Sequence, residues 1–175
     1  MNKIELNNVL NQKFKHLIEW VENQKEREFE VHHIPVKWST GQHIDHLRKT
    51  TKAVNIGINM NSLILRYKFG KLNRNEMSYE EVKNNYVEKS GDGVVAPPSF
   101  TPKEISNSRK KEVLGWLITE RDKMLSTVNS KSEKRLSKSC LQHPLLGNLS
   151  LREFVMWTAI HTEHHLNLMK KYNTP

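Results

Sequence analysis

Ser150-Leu151-Arg152-Glu153-Phe154-Val155-Met156-Trp157-Thr158-Ala159-Ile160-His161-Thr162-Glu163-His164-His165-Leu166-Asn167-Leu168-Met169-Lys170-Lys171-Tyr172 decides the fold class of this chain. Ser150 and Glu153 make the S-x-x-E pattern of a capping box. The hydroxyl serves a free backbone N–H, and the carboxylate reaches back to the cap. Phe154, Thr158, His161, His165, Leu168 and Tyr172 then recur at steps of four, three, four, three and four. That spacing draws one stripe along an α-helix. The stretch reads as a long helix ending near Tyr172.

Working outward, the same signals recur. His143-Pro144-Leu145-Leu146-Gly147-Asn148 reads as a turn, and Ser130 to Lys138 as an exposed polar connector. Thr101-Pro102-Lys103-Glu104 combines a capping box with proline at the first helical position. It predicts a third helix running to about Val128. Between Gly70 and Thr101 the chain is irregular. Ser78-Tyr79-Glu80-Glu81 predicts a short helix to about Glu88, closed by Ser90-Gly91-Asp92-Gly93. Val95 to Phe100 is expected to be extended, because prolines disfavour helix before them. Ser39-Thr40-Gly41-Gln42 opens a second helix, predicted to reach about Tyr67 through Ile44, Leu47, Val54, Ile58 and Leu65. Leu6, Leu10, Phe14, Leu17 and Val21 mark a first helix over about Lys3 to Gln24. No convincing strand is visible. The expectation is an all-α four-helix bundle, one domain over residues 1–175, with a long crossover between the second and third helices.

Composition narrows the class. At 175 residues the chain can bury a core without disulfides, and its one cysteine, Cys140, excludes a disulfide framework or a cysteine metal cluster. No apolar run of about 18 residues appears, so no membrane partner is expected. The N-terminus lacks an apolar signal core, which points to a cytoplasmic protein. The net charge of +9 would suit an anionic partner. The basic residues are scattered, however, so a solvated surface is the preferred reading over nucleic-acid binding.

The chemistry is sought among nine histidines. His161 and His165 are one turn apart on the inward stripe, with nearly parallel Cα–Cβ directions. Both imidazoles can reach one metal ion at roughly 2.0–2.1 Å. Two histidines with ordinary hydrogen-bond partners remain the alternative. His164 lies off the stripe. On the second helix His43 and His46 share a similar face, and spacing does not separate them as a third ligand.

Three segments carry a resemblance over nearly the whole chain. Trp38-Ser39-Thr40-Gly41-Gln42-His43-Ile44-Asp45-His46-Leu47 is similar to the Trp-Ser…His-Leu segment of the DinB/YfiT-like superfamily. Val95 to Pro102 resembles its proline-bearing crossover. His143 to Glu153, followed by His161-Thr162-Glu163-His164-His165, resembles its C-terminal signature. The resemblance implies a four-helix bundle holding a divalent metal through three histidines, which fall on His46, His161 and His165. His43 and His164 fall outside the implied ligand positions.

Three neutral nitrogen donors leave a coordination position open, which suits acidification of a water or a thiol. The resemblance implies thiol S-transferases using low-molecular-weight thiols, together with amidases and isomerases. The expected function is a divalent-metal-dependent enzyme on a small molecule, a thiol S-transferase or a hydrolase. The alternative is a non-catalytic metal- or ligand-binding bundle, or a basic nucleic-acid-associated protein. Imidazole donors suit several metals, of which zinc or nickel is preferred. Homodimerisation fits such a bundle, but no interface is legible. No catalytic acid or base is assigned. Asp45 and Glu163 adjoin ligands in sequence but face other ways. Glu120, between Leu117 and Met124 on the third helix's stripe, is the better candidate for an inward acid that orients a ligand, although tilting the stripe toward Leu114, Ile118 and Leu125 puts it at a boundary facing water, which is the preferred reading. Trp20, Trp38, Trp116 and Trp157 are read as core or boundary residues, and Cys140 as incidental.

Overall fold

Most of the capping signals are realised in the computed structural model, which describes residues 1–91 and 95–172. Helix α1 spans Lys3–Glu22. Glu5 N donates to Asn2 Oδ1 at 3.0 Å and Asn2 N donates to Glu5 Oε2 at 2.9 Å, closing a reciprocal cap. All five residues of its predicted stripe are buried.

Helix α2, Thr40–Asn59, starts at the predicted Ser39–Gln42 box. It does not run to Tyr67. Met60 turns extended and a separate helix α3 covers Ser62–Phe69. The break has a local cause: the Asn61 side chain accepts from Leu63 N at 2.8 Å, an alternative to continuing the helix. The carbonyls released there are taken by Arg135, whose Nη2 donates to Ile58 O at 3.2 Å and Met60 O at 2.5 Å.

Helix α4, Tyr79–Lys89, matches its predicted start and ends at Ser90. Asp92 and Gly93, read from sequence as part of its stop, lie outside the described residues. The Val95–Phe100 segment has no regular structure as far as Pro97. It then turns, with Phe100 N donating to Pro97 O at 2.8 Å.

The third long helix, α5, spans Lys110–Ser130, after a 3-10 turn at Asn107–Arg109. The predicted start at Thr101-Pro102 is therefore eight residues early. Tertiary partners take the cap atoms. Glu104 accepts from Gln42 Nε2 at 3.1 Å and lies 3.1 Å from His32 Nε2, while Thr101 Oγ1 donates to Ala96 O at 3.3 Å. Ile105 is buried on the first turn of α2. A Cβ added at Gly41 would lie 3.0 Å from Ile105 Cβ and 3.0 Å from Phe29 Cε1. Any larger residue there would have to push these two side chains aside.

The connector after α5 is not simply exposed. It forms α6, Glu133–Lys138, which buries Leu136. The expectation of no strand is also overturned. β1, Cys140–His143, pairs antiparallel with β2, Gly147–Ser150, in the register Leu141 opposite Leu149. The predicted turn is held by His143 Nδ1, which accepts from Leu145 N at 3.1 Å and Leu146 N at 3.2 Å. Gly147 supplies the left-handed backbone at φ 70°. Four-residue strands are too short to show alternation in sequence. Cys140 is buried, donating its thiol to Phe69 O at 3.4 Å.

Helix α7, Leu151–Tyr172, matches the reading that opened the sequence analysis. Ser150 N donates to Glu153 Oε2 at 2.7 Å, and Glu153 N to Ser150 Oγ at 3.0 Å. Among the described residues the chain is thus mostly helical, with seven α-helices and one two-stranded hairpin. Four of the helices are long. α2 packs on α5 and α7, α1 packs on the same two, and α4 lies along α7. The α2–α7 contact positions the site.

Candidate metal centre

His46 stands two turns into α2, and His161 and His165 stand mid-way along α7. All three are buried. The packing of α2 on α7 turns their Nε2 atoms toward one point. His46 Nε2 lies 3.3 Å from His161 Nε2, and His165 Nε2 lies 3.0 Å from His161 Nε2. A tetrahedral ion bound at about 2.0–2.1 Å separates its nitrogen ligands by about 3.3 Å. The spacing of the three donors therefore fits one small divalent cation.

The opposite ring nitrogens decide the tautomers. His46 Nδ1 donates to Phe100 O at 2.8 Å, which leaves Nε2 as a lone-pair donor. His165 Nδ1 lies 2.8 Å from His43 Nδ1. If His165 Nε2 turns its lone pair to a metal held by the cluster, Nδ1 carries the proton and donates to His43 Nδ1. His161 Nδ1 is buried without a hydrogen-bond partner among the described residues. Its ring is held by packing instead, stacked on Trp157 with centroids 4.5 Å apart. Trp38 stacks on His165 at 6.0 Å and lies 5.0 Å from His46.

Burial keeps these imidazoles neutral. It pushes the His161 and His165 pKa values well below the ordinary histidine value, with neighbouring imidazoles acting in the same direction. His46 is lowered chiefly by burial, against the opposing pull of the Phe100 carbonyl. His43 falls to about 3, again mainly through burial. Neutral imidazole is the ligating form, so no proton has to leave at neutral pH.

The remaining candidates divide clearly. His164 is half-buried beside Tyr86, with ring centroids 5.6 Å apart, and belongs to no donor triad. Asp45 pairs with Arg48 at 2.7 Å and Lys49 at 2.8 Å, and Glu163 pairs with Lys13 at 2.6 Å. Neither carboxylate orients an imidazole. Glu120 is buried, contrary to the boundary expectation. It accepts from Asn55 Nδ2 at 2.9 Å and Lys123 Nζ at 2.8 Å, bridging α2 to α5 away from the histidines. The orienting groups are instead a main-chain carbonyl and a fourth histidine. Sequence spacing brought His43 into view, three residues before His46, but could not show that its partner would be His165. Phe100 O left no sequence signal, because any residue carries a carbonyl.

The histidines line a half-enclosed cavity of about 970 Å³ between α2, α4, α7 and the β1–β2 turn. Among the described residues no aspartate, glutamate or arginine lines it. Fold and site together define an α-helical protein with a three-histidine cluster opening on an interhelical cavity. The chain belongs to the DinB superfamily, whose family profile matches residues 10–169. No curated protein and no solved structure gave a match to this chain. No helix among the described residues is long and apolar enough to cross a membrane.

Proposed function

We propose that His46, His161 and His165 hold one divalent ion, zinc or nickel, and that the protein is a metal-dependent enzyme acting on a small molecule by thiol S-transfer or hydrolysis. In this reading α1, α2, α5 and α7 are the four members of a DinB-like bundle forming one cytoplasmic domain, and the 70–109 segment is its crossover. The observation that carries the proposal is the convergence of three Nε2 atoms, at 3.0 and 3.3 Å, on the wall of a large cavity.

A divalent ion bound there supplies Lewis acidity, which lowers the pKa of a water or thiol brought to it. The chain supplies the rest. Phe100 O and His43 hold two imidazoles in the donor tautomer. Trp38 and Trp157 fix ring planes and keep bulk water off the rings. Tyr86, its phenol pKa raised by burial, stays protonated beside His161 and remains a hydrogen-bond donor. The described lining offers no carboxylate to act as a general base on water. That favours thiol transfer over hydrolysis, because a thiol ionises close to neutral pH without one.

Metal content of untagged protein tests the proposal. About one ion per chain is expected, and it should be lost in His46→Ala, His161→Ala and His165→Ala. Thiol-transfer and hydrolysis screens on the loaded protein follow. A folded protein that takes up neither zinc nor nickel overturns the reading.

A further inference from the structure

His143 uses one ring nitrogen to hold its own turn and leaves the other unpaired. Nδ1 accepts from Leu145 N at 3.1 Å and from Leu146 N at 3.2 Å. Two N–H groups aimed at one nitrogen require a lone pair there, so the proton of the neutral ring sits on Nε2. Burial lowers the His143 pKa to about 4, which keeps the ring neutral at pH 7. While the turn is formed, Nε2–H is therefore a donor that cannot become an acceptor. Among the described residues it has no hydrogen-bond partner, although the residue is only 5% exposed and forms part of the cavity wall. Leaving a buried N–H unpaired is costly. Holding the turn does not explain an imidazole either, because the carbonyl of an asparagine can serve following backbone N–H groups in the same way.

The ring also stands close to the histidine cluster. His143 lies 4.5 Å from Trp157, and Trp157 lies 4.5 Å from His161. Two such spacings put the His143 and His161 ring centres no more than about 9 Å apart. One small molecule can thus touch both. No cationic side chain competes at this end. Lys37 is the only lysine in the described lining, which holds no arginine, and its Nζ lies 5.2 Å from the centre of the Tyr172 ring. Tyr172 is fifteen residues beyond Trp157 on α7, or about 22 Å at 1.5 Å each. A group arriving at His143 meets a neutral donor without a counter-charge. An uncharged carbonyl oxygen matches it. A carboxylate would give up its water there with no cation in return, and an ammonium would set donor against donor.

We propose that His143 Nε2–H is a ligand-binding group, and that the molecule held at the Nε2 atoms of His46, His161 and His165 carries an uncharged amide- or ester-type carbonyl that accepts from it. The placement of the ligand's head rests on the proposed metal reading; the donor at His143 does not. Under that reading the ligand is a small thiol with a carbonyl a few bonds from its sulfur. His143 touches it away from the reacting atom and fixes its orientation.

N-acetylcysteamine tests this on zinc-loaded protein, since its thiol can reach the ion and its carbonyl oxygen lies about 5 Å from the sulfur. Isohexyl thiol has the same shape without the acceptor. His143→Asn keeps an acceptor for the turn and loses Nε2–H. By calorimetry the variant should bind N-acetylcysteamine about three- to tenfold more weakly than the parent, the scale of one hydrogen bond, and isohexyl thiol within about twofold of it. Equal weakening of both probes means that the ring only packs, and overturns the inference while leaving the metal reading intact. The parent protein offers a second readout. Imidazole nitrogen NMR at pH 7.5 should show His143 protonated on Nε2 alone, and that resonance should move with N-acetylcysteamine and stay in place with isohexyl thiol. A proton on Nδ1, or the same response to both probes, overturns the inference whether or not His143→Asn folds. Protein that takes up no zinc sinks the metal reading, and N-methylacetamide is then the probe. A His143 Nε2 shift that saturates with it upholds the donor, and no shift overturns it.

Discussion

His43→Ala should weaken zinc binding without touching a ligand. With a metal held at its Nε2, His165 carries the proton on Nδ1 and donates it to His43 Nδ1, 2.8 Å away. His165 is buried, and the alanine variant leaves that N–H without its acceptor. An unpaired buried donor costs about 1–3 kcal/mol. Part of that is recovered, because His43 lines the cavity and water can enter the space it vacates. A remaining loss of about 1–2 kcal/mol corresponds to roughly 5- to 30-fold in affinity, overlapping the range of about 10- to 100-fold seen when groups orienting a metal ligand are removed. The assay is competition for zinc against a chelator of known affinity, at pH 7.5, with circular dichroism to establish that the variant is folded. His43→Gln, whose amide oxygen can accept the same proton, should recover part of the loss. A folded His43→Ala protein with the affinity of the parent refutes the assignment of tautomers and the role of His43 with it.

Other outcomes follow from the same coordinates. Metal-free protein should lose stability as pH falls from 6.5 toward 4. Burial lowers His43 to about 3 and His143 to about 4, so below pH 6.5 the unfolded chain binds protons that the folded chain does not. The slope is about 1.4 kcal/mol per pH unit for each such histidine, and urea titrations of metal-free protein across that window measure it. A pH-independent midpoint would contradict the buried, neutral state of both rings. Glu153→Gln should destabilise the fold by about 2 kcal/mol in chemical denaturation, the figure for a broken buried pair discounted because Arg74 is partly in water. That carboxylate is fully buried and receives Arg74 at 2.6 and 2.9 Å, Met77 N at 2.5 Å and Ser150 N at 2.7 Å. Gly41→Ala should lower the unfolding midpoint by the equivalent of about 1–2 kcal/mol. Crowding against Ile105 and Phe29 exceeds the helix-propensity gain, and an unchanged midpoint would show that both side chains yield freely.

The features that were legible in the chain share a property: their partners lie within one helical turn. The capping boxes at Ser39, Ser78 and Ser150 each join residues three apart, and all three are formed. The stripe that put His161 and His165 together needs only the helical period. Thr101-Pro102-Lys103-Glu104 had the same local grammar and failed, because Glu104 is drawn to Gln42 and His32, 62 and 72 residues away. The split of the second helix at Asn61 shows the converse. Its local signal, an asparagine that caps its own neighbours, is strong only when Arg135 is present to take the carbonyls it releases. Glu120 was misplaced for a similar reason. An acid on an apolar stripe reads as a boundary residue until Asn55 of a neighbouring helix is seen to face it.

Alone, the sequence determined that this is a helical chain, where most of its long helices begin, and that two histidines of the last helix share a face. A resemblance carried by three segments added His46. Those are consequences of backbone geometry and periodic burial, which act over a few residues. Only the tertiary structure decided that His46 Nε2 comes within 3.3 Å of His161 Nε2, that His43 rather than a carboxylate backs His165, and that a cavity opens beside them. Each depends on how two helices more than a hundred residues apart rest on one another. That packing follows from the summed burial of the whole core, and no local pattern encodes it.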